Sequence, residues 1–171
     1  MILTPSYPPL STARLLLAPV AEDDADSMLA VYADERMFTF TGGEPPELDA
    51  LRRRYARLAI GWNDDRTEQW CNWIVRLHDH DEPIGVVQAT VPVDRGTAWV
   101  AWEIAVPHWG HGYATEASRA MAAWLRDLGV ASIVASIHPA NIGSNRVAYR
   151  LGLRATDAVD DDGEVRWESP G

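Results

Sequence analysis

The sequence predicts a mixed α/β fold, and three observations carry that expectation. Between Gln69 and Val106, three apolar runs follow one another with short polar turns, the pattern of an antiparallel meander. The third run leads into V-P-H-W-G-H-G-Y-A-T-E-A, where Gly110 and Gly112 separate a strand from a helical pattern. Helical and strand-like segments then alternate to the end of the chain.

A chain of 171 residues suits one domain with a sizeable core. Residues 1–10, with prolines at 5, 8 and 9, read as an N-terminal arm, and residues 11–171 as the domain. Arg14 to Leu17 is a short strand stopped by Pro19, and the acidic Glu22 to Asp26 opens a helix. Thr41 to Pro46 (T-G-G-E-P-P) is a loop. Leu48 to Ile60 has Leu48, Leu51, Tyr55 and Leu58 at amphipathic spacing, with Arg52, Arg53, Arg54 and Arg57 on a solvated side. The meander strands are Gln69 to Leu77, Ile84 to Val91 and Trp99 to Val106. Thr115 to Leu128 is a helix closed by Gly129, Ser132 to Ile137 a strand, and Ile142 to Leu151 a helix closed by Gly152. Leu153 to Val159 and Val165 to Trp167 form a hairpin around Asp162-Gly163.

Composition narrows the function. A net charge of −10 and a pI near 4.8 disfavour nucleic acid and anionic membrane as partners, since both demand a basic face. The acidic balance suits a cationic substrate such as an amine, and equally a surface built for solubility. No apolar run approaches the ~20 residues of a membrane span. The opening M-I-L-T-P-S-Y-P-P-L lacks a basic start and places prolines where a secretory leader needs an apolar helix, so a cytoplasmic protein is expected. The single cysteine, Cys71, sits in a strand without a neighbouring base and reads as a small core residue. His78 and His80 (H-D-H-D) lie in a turn without further ligands at metal spacing, and no metal is expected.

The strand, glycine turn and helix start at 104–117 form an anion site from backbone alone. Glycines at 110 and 112 allow φ > 0 and close approach, and the first amides of the following helix have no internal partner. A nucleotide P-loop requires a lysine, and the chain has none: every basic residue is arginine. A dinucleotide turn needs a third glycine and a distant acid, where Thr115 and Ser132 stand. The turn by itself is also what an ordinary glycine loop looks like.

Three segments resemble the GNAT acyltransferase superfamily, in its ribosomal-protein N-acetyltransferase-like (RimJ/RimL-type) branch. They are T-A-R-L-L-L-A-P followed by E-D-D-A, W-G-H-G-Y-A-T-E-A, and H-P-A-N-I-G-S-N-R-V-A-Y-R-L-G-L, in the family's order and spaced from residue 12 to residue 153. The resemblance implies a mostly antiparallel sheet split by one splayed parallel pair and flanked by helices. It implies acetyl-CoA as co-substrate, with the pantetheine arm pairing with backbone of Ile104, Ala105 and Val106. The pyrophosphate would rest on Trp109, Gly110, His111, Gly112, Tyr113, Ala114 and Thr115. The acceptor is expected to be a primary amine, either a peptide N-terminus or a small molecule. A homodimer is compatible with the resemblance.

Direct attack of the amine on the thioester needs alignment, a base and help for the leaving thiolate, but no covalent enzyme intermediate. Glu103, the only acid between Asp94 and Glu116, is the candidate base; alternation could instead turn it to solvent or to an arginine. Family members often carry an acid earlier in this strand, where Trp99 stands. Asn141 and Ser144 match the N-x-x-S pair, Asn141 as a partner of pantetheine and Ser144 as a donor to the departing sulfur; both are also good helix caps. Many family members have a tyrosine at the position of Ala148. Tyr149 is one residue late, about 100° around the helix, and is expected to pack. His138 is an alternative base, and His108 and His111 flank the loop. Trp99, Trp102 and Trp109 cluster at the expected cleft, as pocket walls or core. The alternative function is a catalytically weak acyl-CoA sensor or interaction module on the same fold.

Overall fold

The computed structural model describes residues 6–171. Its centre is an eight-stranded sheet in the order β1-β2-β3-β4-β5-β6-β8-β7. The strands are β1 (Leu10–Ser11), β2 (Leu15–Pro19), β3 (Glu68–Leu77), β4 (Pro83–Pro92), β5 (Thr97–Ile104), β6 (Ser132–Ile137), β7 (Arg154–Val159) and β8 (Val165–Glu168). All neighbours are antiparallel except β5 and β6, which pair in parallel from Thr97↔Ser132 to Trp99↔Val134. Helices α1 (Asp24–Met28), α2 (Leu48–Leu58), α3 (Tyr113–Asp127) and α4 (Ile142–Arg150) cover the sheet.

Strand alternation divides the interior into two cores. Cys71, Trp73 and Val75 of β3 point to the face covered by α3 and α4, where Met121, Leu125 and Val147 meet them. Ile74 of the same strand points the other way, toward Met28 of α1 and Leu51 and Tyr55 of α2. Fully buried Trp73 anchors the first core, edge-to-face against Tyr7 at 4.9 Å and Trp124 at 5.3 Å. Burial pushes the Cys71 thiol up to about 12, in keeping with a core residue.

Element order and type follow the sequence expectation, with local differences. Within the expected arm, Tyr7 is buried and donates to the Asn72 carbonyl at 2.8 Å, and Leu10–Ser11 pairs as β1; residues 1–5 of that arm lie outside the described residues. The third meander strand stops at Ile104 rather than Val106, because Pro107 turns the chain into a 3₁₀ turn over Val106–His108. A second 3₁₀ turn, Glu35–Phe38, is capped by Asp34, whose side chain accepts from the Arg36 amide. Helix α3 begins at Tyr113, two residues earlier than the periodicity suggests.

Candidate active site

Past Trp99 and Val134 the parallel pair parts. β5 continues against β4 alone, and β6 continues against β8. The gap opens into a cleft of about 700 Å³ whose walls include Trp102, Glu103, Tyr113, Asn141 and Ser144. Its edge carries unpaired backbone. The Ala105 amide donates to Ile84 of β4 at 2.7 Å, so alternation turns the backbone of Trp102 and Ile104 toward the gap.

The glycine turn closes one end of this cleft. Gly110 and Gly112 have φ of +77° and +81°, and the left-handed Gly112 lets α3 start at once behind it. From Gly110 through Thr115, six successive amides find no acceptor among the described residues. They converge at the positive end of a 15-residue helix. Arg14 braces the turn from β2's approach: its guanidinium donates to the His111 carbonyl at 3.0 Å, lies 4.5 Å from the Tyr113 ring centre and pairs with Glu116 at 2.7 Å. Glu116 also accepts from the Thr12 hydroxyl at 2.6 Å and the Arg14 amide at 3.0 Å. Burial would raise the Glu116 carboxyl, but these hydrogen bonds and the Arg14 charge hold it below the usual range. No local sequence signal pairs residues about a hundred positions apart, and Arg14 and Glu116 were not among the expected site residues.

Trp102 and Glu103 are consecutive, and strand alternation sends them to opposite faces. Trp102 points toward α4, where its indole N–H donates to Ser144 Oγ at 3.3 Å. An indole is a donor only, so the Ser144 hydroxyl hydrogen stays free for another acceptor in the cleft. Glu103 points toward the α1 and α2 side and accepts from the Tyr32 hydroxyl at 3.1 Å. It makes no ion pair within the described residues. The arrangement therefore brings a carboxylate and a hydroxyl to one cleft from its two sides. Asn141 is the N-cap of α4, its side-chain oxygen accepting the Ser144 amide at 3.1 Å.

The remaining expectations sort by position. Several backbone groups of Ile104, Ala105 and Val106 are already engaged: the Ile104 carbonyl accepts the Trp109 indole at 2.6 Å, the Ala105 carbonyl accepts the His108 amide at 2.9 Å, and the Val106 carbonyl accepts the Trp109 amide at 3.1 Å. Trp109 lines the cleft, whereas Trp99 is half-exposed beneath the Arg166 guanidinium at 5.2 Å. The packing expected for Tyr149 is not found: it is 74% exposed, because Ala148 occupies the inward position of α4. His138 stands on the cleft wall, its ring 5.3 Å from Phe40. Nδ1 of His138 accepts the Ala140 amide at 3.1 Å. His78 hydrogen-bonds the Thr12 carbonyl at 2.8 Å and does not line the cleft. Among the described residues no group of three or more His, Cys, Asp or Glu could hold a metal ion, and no helix is long and apolar enough to cross a membrane.

A family model described as an acetyltransferase (GNAT) domain matches residues 14–154. The chain belongs to the GNAT acetyltransferase family. It is 23% identical over 150 residues to the uncharacterized N-acetyltransferase YoaA of Bacillus subtilis (strain 168), covering 86% of this chain and 84% of that protein. The acetyltransferase from Agrobacterium tumefaciens str. C58 superposes with a TM-score of 0.76 at 25% identity, covering 100% of this chain and 99% of the other. RimL, the ribosomal L7/L12 alpha-N-protein acetyltransferase solved with coenzyme A, superposes with a TM-score of 0.79 at 12% identity, over 94% and 97% of the two chains. The eight-stranded sheet with one parallel pair is the GNAT architecture.

Proposed function

We propose that the protein transfers an acetyl group from acetyl-CoA to a primary amine by direct attack. The observation that carries this reading is the placement of six unpartnered amides, Gly110 to Thr115, at the end of the same cleft that holds Glu103 and Ser144. In this reading the pyrophosphate lies on those amides, and the pantetheine arm enters the gap between β5 and β6. The free edge at Trp102 and the Ile104 amide would pair with the arm, together with the Asn141 side-chain amide, whose N–H hydrogens remain available beside its capping oxygen. Ala105 contributes no pairing, since both its backbone groups are taken. The fit to a coenzyme rests on orphaned donors and an open strand edge, which this group would satisfy.

The chemistry follows from the two sides of the cleft. The amine nitrogen attacks the thioester carbonyl carbon, and the developing oxyanion meets backbone N–H of β5. Glu103 takes the proton released from nitrogen. The C–S bond then breaks and Ser144 protonates the departing sulfur, giving an amide and free coenzyme thiol; Ser144 regains a proton from solvent and Glu103 releases the one it took. The Trp102 indole aims the Ser144 oxygen.

The N-x-x-S segment at Asn141 to Ser144 supports assignment to the RimJ/RimL-type branch; the acceptor is a primary amine of one of two classes, a protein N-terminal α-amine or a small-molecule amine. Both would enter from the face of α1 and α2, past Arg36, Met37 and Phe40. Acetyl-CoA-dependent thiol release, run against N-terminal peptides and against small amines, tests the reaction and separates the classes. Tight acetyl-CoA binding with no release across both panels would favour the sensor alternative.

A further inference from the structure

We propose that Tyr32 is the positioning residue for the base: it holds one oxygen of the Glu103 carboxylate by a partly buried hydrogen bond and leaves the other to the acceptor amine. The inference rests on the reading of Glu103 as base.

The geometry is specific. Tyr32 is 4% exposed, and its hydroxyl reaches across 71 positions of sequence to Glu103 Oε2 at 3.1 Å. Glu103 Oε1 has no hydrogen-bond partner among the described residues and belongs to a side chain lining the cleft. A phenol donating to a carboxylate is a charge-assisted bond, stronger than one to a neutral carbonyl. Tyr7 gives the contrast: it is equally buried, but its hydroxyl is satisfied by the Asn72 backbone, as a packing tyrosine needs.

Tyr32 also keeps its proton. Burial foremost, then the Glu103 charge and neighbouring Tyr55, hold its phenol well above the ordinary tyrosine value of 10, with Arg54 acting weakly the other way. It is therefore a fixed donor across the working range and never competes for the amine proton. When the N–C bond forms, the N–H bond breaks and its proton passes to Oε1 of Glu103, while Tyr32 continues to donate to Oε2. Tyr55 packs in the same cluster and helps hold the Tyr32 phenol up, so the control is Tyr7, whose buried hydroxyl lies in the other core and is bonded to the Asn72 backbone.

The test compares pH profiles of kcat/KM for the acceptor at saturating acetyl-CoA. Tyr32→Phe keeps the ring and removes the donor, which disfavours the charged carboxylate. The expected result is a fall of about tenfold with the acid limb moved to higher pH, and acetyl-CoA Kd unchanged. Tyr7→Phe, which removes a buried hydroxyl bonded to the Asn72 backbone, leaves the limb where it is. In a Glu103→Gln background, Tyr32→Phe changes the rate by less than about twofold, because the carboxylate it positions is gone. A Tyr32→Phe profile that coincides with the unmodified enzyme overturns the inference, as does a full tenfold loss persisting in the Glu103→Gln background. If Glu103→Gln alone retains the acid limb, the base reading itself falls; if that limb is lost and only the Tyr32→Phe shift is absent, the base stands and Tyr32 does not position it.

Discussion

At the residue scale the site depends on two glycines with different tasks. Gly112 is left-handed and caps α3, so its own amide and those after it stay open to an anion. Replacing it by Val imposes a side chain on φ +81° and turns the amides away. Acetyl-CoA Kd should rise more than about tenfold, roughly 1.4 kcal/mol, in titration calorimetry. Unchanged binding would remove the loop as the pyrophosphate seat. Gly85 of β4 faces β5, and a Cβ there would press into the Glu103 carbonyl. Gly85→Ala should therefore cost about 1–3 kcal/mol of stability by denaturant titration, and should lower kcat by displacing Glu103. An alanine tolerated on both counts would mean the strands part more easily than their packing suggests.

Element by element, α3 is tied to β3 by the Trp73–Trp124 contact and to the segment before β2 by Glu116. Trp73→Ala empties the contact with Tyr7 and Trp124 and should cost about 3–5 kcal/mol. Glu116 ties the first turn of α3 to Thr12 and Arg14. Its folded carboxyl is held below the ordinary 4.5. Its contribution is thus complete above that value and lost as pH falls through the lowered one. Glu116→Gln should flatten the acid side of the stability profile below about pH 5, read from thermal midpoints; superposable profiles would contradict the linkage.

The same elements mark how far the sequence could be read. Period-2 and period-3.6 patterns placed β3 to β6 and α2 to α4 within a few residues, because each buries a regular face. The short α1 was marked by its acidic first turn and not by a period, whereas the 3₁₀ turn at Glu35–Phe38 buries no residue and leaves no signal. Gly110, Gly112 and Glu103 stood out as local patterns, and Asn141 and Ser144 through their resemblance to the family's N-x-x-S pair. Tyr32, Arg14 and Glu116 did not, since their partners are set by strand order and not by neighbouring residues. Tyr149 was expected to pack, and one position of helical phase turns it to solvent.

For the whole molecule, the net charge of −10 is the property an amine meets first. A negative field raises the encounter rate of cations and is screened by salt over about 10 Å at 0.1 M. With acetyl-CoA saturating, kcat/KM for a dicationic amine should fall more steeply with ionic strength than for a monocationic one. Equal salt slopes would assign the acidic surface to solubility alone. The fold serves the same end: one parallel pair interrupts an otherwise antiparallel sheet, and the splay it creates sets an open strand edge beside a helix N-terminus. One measurement tests the central claim most directly, namely acetyl-CoA-dependent release of free thiol in the presence of primary amines, with acetylated amine counted alongside. Thiol and acetylated amine are expected in equal amounts, both dependent on the amine and both reduced in Glu103→Gln. Absence of thiol release with peptide and small-molecule amines alike, together with no detectable acetyl-CoA binding, would contradict it.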